Sequence, residues 1–241
     1  MEDAISKLQQ MINESHNIIF FGGAGVSTES GIPDFRSKDG LYSQRFKYPP
    51  EYMLSHTCFK RDPKAFFDFY REKILITGIS PNKAHLKLAE MEEKGKLRAI
   101  VTQNIDGLHQ LAGSKTVYEL HGSVARNYCV DCSAFYDMGY IKESNGIPYC
   151  NRCGGIVKPD VVLYEEGLDS TTIDNAVNAI VKSDMIIIAG TSLTVYPAAG
   201  LINYFKGKYL VLINRDPTPK DTAADLVIRE KVGEVLDQIK A

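Results

Sequence analysis

The sequence predicts an α/β fold, a doubly wound parallel sheet that carries one small inserted module. The first observation is the alternation of short apolar runs with amphipathic helical segments, which is typical of a parallel sheet covered on both faces. The second is a break in that alternation over residues 125–158, which hold four paired cysteines and show little periodicity. The predicted organisation is a single core over 1–241, in which 1–124 and 159–241 form one domain and 125–158 is an insertion.

The individual elements follow from the spacing of the apolar residues. Helical spacing predicts helices over 2–15, 64–76, 83–94, 170–182, 197–206 and 231–240. Continuous apolar runs predict strands over 17–21, 98–102, 116–120, 185–189 and 209–213, with a short apolar stretch at 160–163. Asn82 stands where the helix that begins at residue 83 needs a cap, and His85 in its first turn is expected to cap or pack.

Composition and charge exclude several classes of protein. The net charge is −2 and the sequence pI is about 6.2, so nothing favours binding to nucleic acid or to an anionic membrane. The first residues lack the pattern of a secretory signal, and no apolar run approaches the ~20 residues that span a bilayer. A cytoplasmic protein is expected; the oligomeric state is left open, with a monomer compatible with the sequence.

Four of the five cysteines form two Cys-x-x-Cys pairs, Cys129/Cys132 and Cys150/Cys153. In a reducing compartment this spacing favours a zinc site over disulfides. Four thiolates complete a tetrahedral shell and leave no position for a substrate, so the predicted zinc is structural. Cys58 stands alone and is expected to be a buried apolar thiol.

Polar or glycine-rich residues follow four of the predicted strands. The first loop, which includes Gly23, Ala24 and Gly25, could approach a phosphate, but Thr28 occupies the place of the last glycine of the dinucleotide fingerprint. By itself this loop is equally compatible with an ordinary strand-to-helix turn. The other strand ends are followed by Gln103, Asn104, Ile105 and Asp106, by Gly190, Thr191 and Ser192, and by Asn214. Because ligands bind outside the carboxyl ends of parallel strands, one shared crevice is predicted.

His121 precedes a glycine at the end of the strand predicted over 116–120. A lone histidine is usually structural, but its position beside the predicted crevice favours a functional reading. An imidazole can accept a proton at neutral pH without special tuning, so His121 is a candidate general base.

Taken in chain order, these segments resemble the sirtuin family of NAD-dependent protein deacylases, in particular its small microbial members. The resemblance covers nearly the whole chain and rests on the first glycine loop, Ser30–Arg36, Thr102–His109, Glu119–Gly122, the four cysteines, Gly190–Leu193 and Ile213-Asn214. It implies a Rossmann-like NAD-binding domain with a zinc-binding module. It also implies a reaction in which NAD is consumed as a co-substrate. The acyl group of an acyl-lysine passes to ADP-ribose, nicotinamide leaves, and the products are free lysine and O-acyl-ADP-ribose.

The resemblance also implies residue roles. His121 would be the general base, and Asn104 would act with Gln103 at the nicotinamide-side ribose. Ile105 and Asp106 would hold the nicotinamide carboxamide. The remaining expected NAD contacts are Gly23, Ala24, Gly25, Thr28, Phe35, Arg36, Gly190, Thr191, Ser192, Asn214 and Lys231. Phe35 would stack at the nicotinamide site and then shield the reactive sugar from water.

The resemblance further implies that an acyl-lysine peptide adds a strand between the zinc module and the main domain. The expected peptide contacts are Val161, Leu163, Tyr164, Glu165, Glu166 and Val195. The family's usual Phe-Gly-Glu here reads Tyr164-Glu165-Glu166, so a glutamate replaces a glycine, and our hypothesis is that Glu165 favours basic residues beside the acyl-lysine. Phe67 and Tyr70 stand where relatives that prefer acidic acyl groups carry Tyr-x-x-Arg, which indicates an uncharged acyl group. A one-residue slip would instead bring Arg71 into that position.

Three alternatives stay open at this point. The same site could transfer ADP-ribose onto protein, although His121 favours deacylation. The chain could be an NAD-responsive module without catalysis, which the intact Gln103, Asn104, Asp106 and His121 disfavour. A zinc ribbon that binds nucleic acid is disfavoured because acidic and basic residues nearly balance within 125–158.

Overall fold

The computed structural model describes residues 2–34 and 48–241. The helices are α1 Glu2–Glu14, α2 Pro50–Met53, α3 His56–Arg61, α4 Pro63–Lys73, α5 Lys83–Glu93, α6 Leu108–Leu111, α7 Met138–Glu143, α8 Ser170–Val181 and α9 Val232–Leu236. The strands are β1 Ile18–Gly22, β2 Leu97–Thr102, β3 Val117–Glu119, β4 Gly122–Cys129, β5 Phe135–Asp137, β6 Val157–Val161, β7 Met185–Ala189, β8 Tyr209–Ile213 and β9 Leu226–Ile228. Short 3₁₀ helices lie at Ala24–Val26, Thr28–Ser30, Ala198–Tyr204 and Asp221–Ala223.

Within the described residues, the main sheet has six parallel strands in the order β3-β2-β1-β7-β8-β9. The strand order reverses direction between β1 and β7, which is where a crevice opens at the carboxyl ends of a doubly wound sheet. The predicted α/β fold with a doubly wound parallel sheet is thus confirmed. No helix within 2–34 or 48–241 is both long enough and apolar enough to span a bilayer.

Apolar strand residues alternate between two cores, one on each face of the main sheet. Ile18 and Phe20 of β1 pack on the face covered by α1, α5 and α9, whereas Ile19 and Phe21 pack on the face covered by α8. All four side chains are fully buried. A strand buried on both faces cannot alternate apolar with polar residues, which is why these strands read as continuous apolar runs.

A second unit contains the small antiparallel sheet β5-β4-β6 and a core of its own. That core also includes aromatic residues of α3 and α4, among them Phe59, Phe66 and Tyr70. The helices α2 to α4, which precede β2 in sequence, therefore pack with the cysteine-bearing segment. The boundary of the insertion at 125–158 stays a prediction.

Most predicted elements agree with the structure to within a few residues, and the differences have local causes. The segment predicted as a helix over 197–206 forms a 3₁₀ helix, Ala198–Tyr204, in which Gly200 lowers the propensity for an α-helix. The closing helix predicted over 231–240 is shorter, Val232–Leu236. Helix α5 begins as predicted, because the Asn82 side chain accepts hydrogen bonds from the amides of Ala84 and His85.

Two fully buried histidines lie beneath the carboxyl edge of the sheet. The rings of His85 and His109 are 4.7 Å apart between centroids, and Phe20 packs against His109. His85 Nδ1 accepts a hydrogen bond from the Asn82 amide, so the ring completes a capping box. Burial lowers the pKa of His85 to about 4, although the charge of Asp106 opposes this shift. Burial and the neighbouring His85 lower the pKa of His109 to about 3.

These two histidines predict a loss of stability in mild acid. Their pKa values in the folded state lie below the unfolded value near ~6.5. Below that pH the unfolded chain therefore binds protons at these two positions, whereas the folded chain does not. Stability is therefore complete above pH 6.5 and is lost as the pH falls, by about 2 kcal/mol for each histidine at pH 5. Urea unfolding at pH 7 and pH 5 measures this, and His109→Gln should reduce the difference by about 2 kcal/mol. An equal difference in both proteins would contradict the assignment.

Candidate active site

The carboxyl ends of β1, β2, β7 and β8 open into one cavity of about 720 Å³. This volume lies within the usual range of ligand-binding sites. The loops that follow these strands line the cavity, and so do segments of the second unit, including residues 161–166. The predicted shared crevice is therefore present, and it lies between the main sheet and the second unit.

The first glycine loop is held by backbone contact with the end of β7. The Gly25 amide donates to the Gly190 carbonyl oxygen at 2.8 Å, and a Cβ atom on Gly25 would lie 2.7 Å from the Gly190 Cα atom. Two backbones this close exclude any side chain at Gly25. The Thr28 hydroxyl donates to the Gly25 carbonyl oxygen at 3.0 Å, so the residue that replaces the last fingerprint glycine fixes the loop from within.

A buried polar network joins this loop to the end of β2. The Ser27 hydroxyl donates to Asp106 Oδ2 at 2.7 Å and accepts from the Asn104 side-chain amide at 3.0 Å. Asp106 Oδ1 accepts from the Leu108 amide at 2.9 Å, so both carboxylate oxygens are oriented. The sequence alone assigns Ser27 no role, because a serine in a turn carries no signal of a contact 79 residues away.

His121 lies at the wall of the same cavity with a defined tautomer. Its Nδ1 atom is 2.9 Å from the Gln103 carbonyl oxygen, which can only accept, so Nδ1 carries the proton and Nε2 is the basic atom. Burial lowers the pKa of His121, and the hydrogen bond to Gln103 opposes this shift only in part. The imidazole is therefore neutral at physiological pH, as a general base requires.

The backbone at His121 is held in place by the glycine that follows it. Gly122 has φ of +76°, and a Cβ atom there would lie 1.9 Å from the Asp160 carbonyl oxygen on β6. Only glycine permits both this backbone conformation and this close approach. The contact holds β6 against the start of β4, where Gly122 pairs with Val161, and it keeps His121 at the junction of the two sheets.

Most of the residues predicted to contact NAD line the cavity. They are Ala24, Gly25, Thr28, Gln103, Asn104, Ile105, Asp106, His121, Gly190, Thr191, Ser192, Asn214 and Lys231. Gly23 does not line it, because this residue packs against the Gly190 carbonyl and Thr191. Phe35 and Arg36 lie outside the described residues. The Lys231 amine is exposed and donates to Glu234 at 2.8 Å.

The residues predicted to contact a peptide also line the cavity, namely Val161, Leu163, Tyr164, Glu165, Glu166 and Val195. They come from two segments, the end of β6 with the loop after it and the loop after β7. The Val162 amide donates to the His121 carbonyl oxygen at 3.0 Å, which places the first segment directly beside the candidate base.

An apolar wall lines the second unit's side of the cavity, and sequence reasoning named few of its members. It includes Leu54, Tyr70, Ile74, Ile76, Ile79, Val124 and Met138. Arg71, the alternative to Tyr70, is not among the described residues that line the cavity. Its guanidinium donates instead to the Gly146 carbonyl oxygen at 2.6 Å and to the Ser144 hydroxyl at 3.2 Å.

The four paired cysteines converge at the end of the small sheet. Their Sγ atoms all lie within 4.8 Å of one another, with 3.4 Å between Cys129 and Cys153 and 3.6 Å between Cys132 and Cys150. Tetrahedral zinc with Zn–S bonds of about 2.3 Å requires about 3.8 Å between sulfurs. The Tyr136 hydroxyl donates to Cys150 Sγ at 3.1 Å and lowers the pKa of that thiol to about 6, which favours a thiolate ligand. This donor set fits zinc.

The cavity fits a dinucleotide by the chemistry of its lining. Backbone packed too closely for any side chain lies after β1 at Gly23 and Gly25, which leaves peptide groups bare, as a phosphate site requires. Amide and carboxylate side chains follow β2, and Ser192 and Asn214 follow β7 and β8. Donors and acceptors thus lie on both sides of the reversal of strand order, as a site for a dinucleotide requires.

Comparison with known proteins agrees with this geometry. The model of the Sir2 family matches residues 23–197. An NAD-dependent protein deacetylase of Clostridium perfringens is 61% identical, and the match covers 99% of each chain. The chain belongs to the Sir2 family.

Solved structures extend the comparison with the Sir2 family to bound ligands. A Sir2 structure with a p53 peptide and NAD+ has 39% identity and a TM-score of 0.85, covering 96% of this chain and 95% of that one. A Sir2 histidine-to-alanine variant with a deacetylated p53 peptide and 3'-O-acetyl ADP-ribose has 38% identity and a TM-score of 0.90, with 97% and 96% covered. The resemblance stated from the sequence motifs is thereby confirmed.

The cysteine cluster predicts that zinc supports folding rather than chemistry. Cys129→Ser removes one thiolate, so stoichiometric zinc should be lost. The melting temperature should fall by roughly 10 °C or more, since about 1 kcal/mol moves it by ~2–4 °C at this size. Metal analysis and calorimetry test this, with Cys58→Ala as the control for zinc content alone, because Cys58 lies outside the cluster but is buried in the core, where truncation itself lowers the melting temperature. Full zinc content and unchanged melting of the serine variant would contradict the assignment.

Proposed function

We propose that this protein is an NAD-dependent protein deacetylase that consumes NAD and uses His121 as its general base. The observation that carries the proposal is the neutral His121 imidazole, whose Nδ1–H is bound to the Gln103 carbonyl and whose basic Nε2 remains for chemistry in the shared cavity. The curated deacetylase relatives and the peptide-bound Sir2 structures support the same activity.

NAD, when bound, supplies the ADP-ribose that receives the acyl group once nicotinamide has left. The chain's own residues would bind NAD, orient it and shield the reacting sugar from water. Ala24, Gly25 and Thr28 would form the phosphate side, with Gly23 packed behind them against Gly190 and Thr191. Thr191, Ser192, Asn214 and the Lys231 backbone would form the adenosine side. Gln103, Asn104 and Ile105 would hold the nicotinamide-side half. Phe35 and Arg36 belong to this proposal on the strength of the resemblance alone.

The network around Ser27 explains how the nicotinamide side would be oriented without substrate-induced rearrangement. Asp106 is held at both carboxylate oxygens and Asn104 is 9% exposed, so each group keeps one direction before a ligand arrives. Groups oriented in advance place the reacting atoms at little further cost in entropy. His121 Nε2 would then accept the proton of a ribose hydroxyl, because its lowered pKa leaves it unprotonated.

The acyl-lysine would enter along the peptide segments, with its acyl group against the apolar wall that includes Tyr70, Ile74 and Met138. Arg71 is turned to the Gly146 carbonyl, so an acidic acyl group would find no guanidinium from this position. An uncharged acyl group is therefore the proposed substrate class. The net charge of −2 supports protein or peptide substrates rather than nucleic acid. The four thiols of the zinc cluster support a reducing, cytoplasmic location, and a monomer is sufficient for this site.

The role of His121 predicts both a variant and a pH effect. His121→Ala should lower kcat by a factor of roughly 10²–10⁴, the usual contribution of a general base, while NAD binding and melting temperature change little. In the wild type, kcat/KM should decrease as the pH is lowered, because the base becomes protonated. The midpoint of this titration should lie below ~6.5, because burial lowers the pKa of the imidazole.

Initial rates with an acetyl-lysine peptide across pH 5–8 measure both effects. His16→Ala is the matched control, since His16 is exposed and is not among the described residues that line the cavity. A folded His121→Ala protein with wild-type turnover would remove the general-base assignment.

A further inference from the structure

Glu165 holds a backbone conformation that normally belongs to glycine. Its φ is +74°, and within the described residues only Ser133 and Leu193 share positive φ without being glycine. A side chain in this region is strained, so the conformation persists only where surrounding contacts enforce it. The glutamate therefore holds a geometry that suits glycine, and other contacts in the structure must compensate for the strain.

The compensation comes from helix α3. Glu165 Oε2 accepts hydrogen bonds from the Thr57 amide at 2.9 Å and from the Thr57 hydroxyl at 2.7 Å. These two hydrogen bonds lower the pKa of Glu165, which therefore carries its charge at neutral pH. His56 and Arg61 add favourable charge interactions. A glycine at this position could make none of these side-chain contacts.

The neighbours of Glu165 are tied to the same helix. The Tyr164 amide donates to the Leu54 carbonyl oxygen, and the His56 amide donates to the Tyr164 carbonyl oxygen, both at 3.0 Å. Glu166 Oε1 lies 2.9 Å from His56 Nδ1, and Glu166 Oε2 accepts from Lys158 at 3.1 Å. Three consecutive residues of the cavity wall are thus attached to α3 or its preceding residues.

Helix α3 is itself firmly held. Cys58 is 1% exposed and Phe59 is 3% exposed, and both pack in the core of the second unit. The Thr57 side of the helix faces Glu165, while the opposite side lies in that core. The segment over residues 161–166 is thus fastened to a rigid support rather than suspended over the cavity.

We propose that Glu165 is a positioning residue, a latch that holds residues 161–166 in the conformation that receives the acyl-lysine peptide. The inference rests on the proposed function, because it concerns how the substrate of that site is bound. An extended peptide that pairs with an ordered segment loses less entropy than one that must first order its partner. The latch differs from the hypothesis that Glu165 selects basic peptides, since it requires an acceptor oxygen and not a charge that faces the substrate.

Three variants separate the two roles. Glu165→Gln removes the charge but keeps an acceptor oxygen for Thr57, Glu165→Ala removes both and keeps the strained backbone, and Thr57→Val removes the hydroxyl donor alone. Glu143→Ala is the control, because Glu143 is an exposed glutamate on α7 outside the cavity lining. Calorimetric titration gives the Kd of an acetyl-lysine peptide with uncharged flanks, and steady-state rates give kcat and KM for the same peptide.

For Glu165→Ala, the latch predicts peptide Kd and KM raised about tenfold, with kcat and the NAD Kd within about twofold of wild type. Glu165→Gln should rescue most of this loss, and Thr57→Val should raise Kd by a smaller factor. The double variant Glu165→Ala/Thr57→Val should bind no worse than Glu165→Ala, because both changes break one contact. Wild-type Kd in Glu165→Ala would overturn the latch. A second result would also overturn the latch: Glu165→Gln raises the Kd only of peptides with flanking lysines, and Glu165→Ala leaves the Kd of neutral peptides unchanged. That result would establish charge selection instead.

Amide hydrogen exchange distinguishes a failure of the latch from a failure of the proposed function. A wild-type protein that neither binds nor deacetylates the peptide contradicts the function. The latch still requires faster exchange at the amides of residues 57 and 162–164 in Glu165→Ala than in wild type. Unchanged exchange there would overturn the latch whatever the activity. If Glu165→Ala does not fold, the same comparison is made with Thr57→Val.

Discussion

The contact between Gly122 and the Asp160 carbonyl is the constraint on which the rest of the site depends. The chain passes from the main sheet at Glu119 to the small sheet at Gly122, so His121 lies between the end of β3 and the start of β4. A Cβ atom at residue 122 would lie 1.9 Å from the Asp160 carbonyl oxygen, and the positive φ admits only glycine without strain. Because the two sheets meet at this point, the residues predicted to bind NAD and those predicted to bind the peptide share one cavity, with the candidate base between them.

The two sides of the cavity use different means to stay ordered. On the side of the main sheet, glycine backbones touch directly and Ser27 orients Asn104 and Asp106 through buried hydrogen bonds. On the side of the second unit, charged side chains fasten a loop to a short helix at the surface. Salt screens interactions between buried groups much less than it screens those between exposed charges. The side that is predicted to receive the peptide is thus the part of the cavity on which ionic strength should act most.

The sequence predicted the fold, the family and the zinc cluster because each depends on local pattern. Apolar runs such as Met185–Ala189 are buried on both faces and could be recognised without knowing their neighbours. The spacing of the two Cys-x-x-Cys pairs is enough to predict that the four cysteines meet at one metal site. The strand-end residues Gln103 to Asp106 were predicted to meet the first glycine loop because parallel strands end at one edge. Their roles as NAD contacts, like those of the peptide residues, stay predictions.

What the sequence could not predict depends on contacts between distant residues. Ser27 reaches Asp106 across 79 positions, and Glu165 reaches Thr57 across 108. No sequence pattern around a serine in a turn or a glutamate in a loop predicts a partner so far away in the chain. The packing of α2 to α4 with the cysteine-bearing unit was missed for the same reason, since their apolar faces would suit either core. The replacement of glycine by Glu165 was visible in the sequence, but its compensation by α3 was not.

The most direct test of the account is mass spectrometry of an acetyl-lysine peptide incubated with the zinc-loaded protein, with and without NAD. The account predicts loss of the acetyl group only when NAD is present, with nicotinamide and O-acetyl-ADP-ribose formed in equal amounts, and a much slower reaction of the matching succinyl-lysine peptide. Acetyl loss without NAD would contradict the account. So would an unchanged peptide in the presence of protein shown to hold both zinc and NAD.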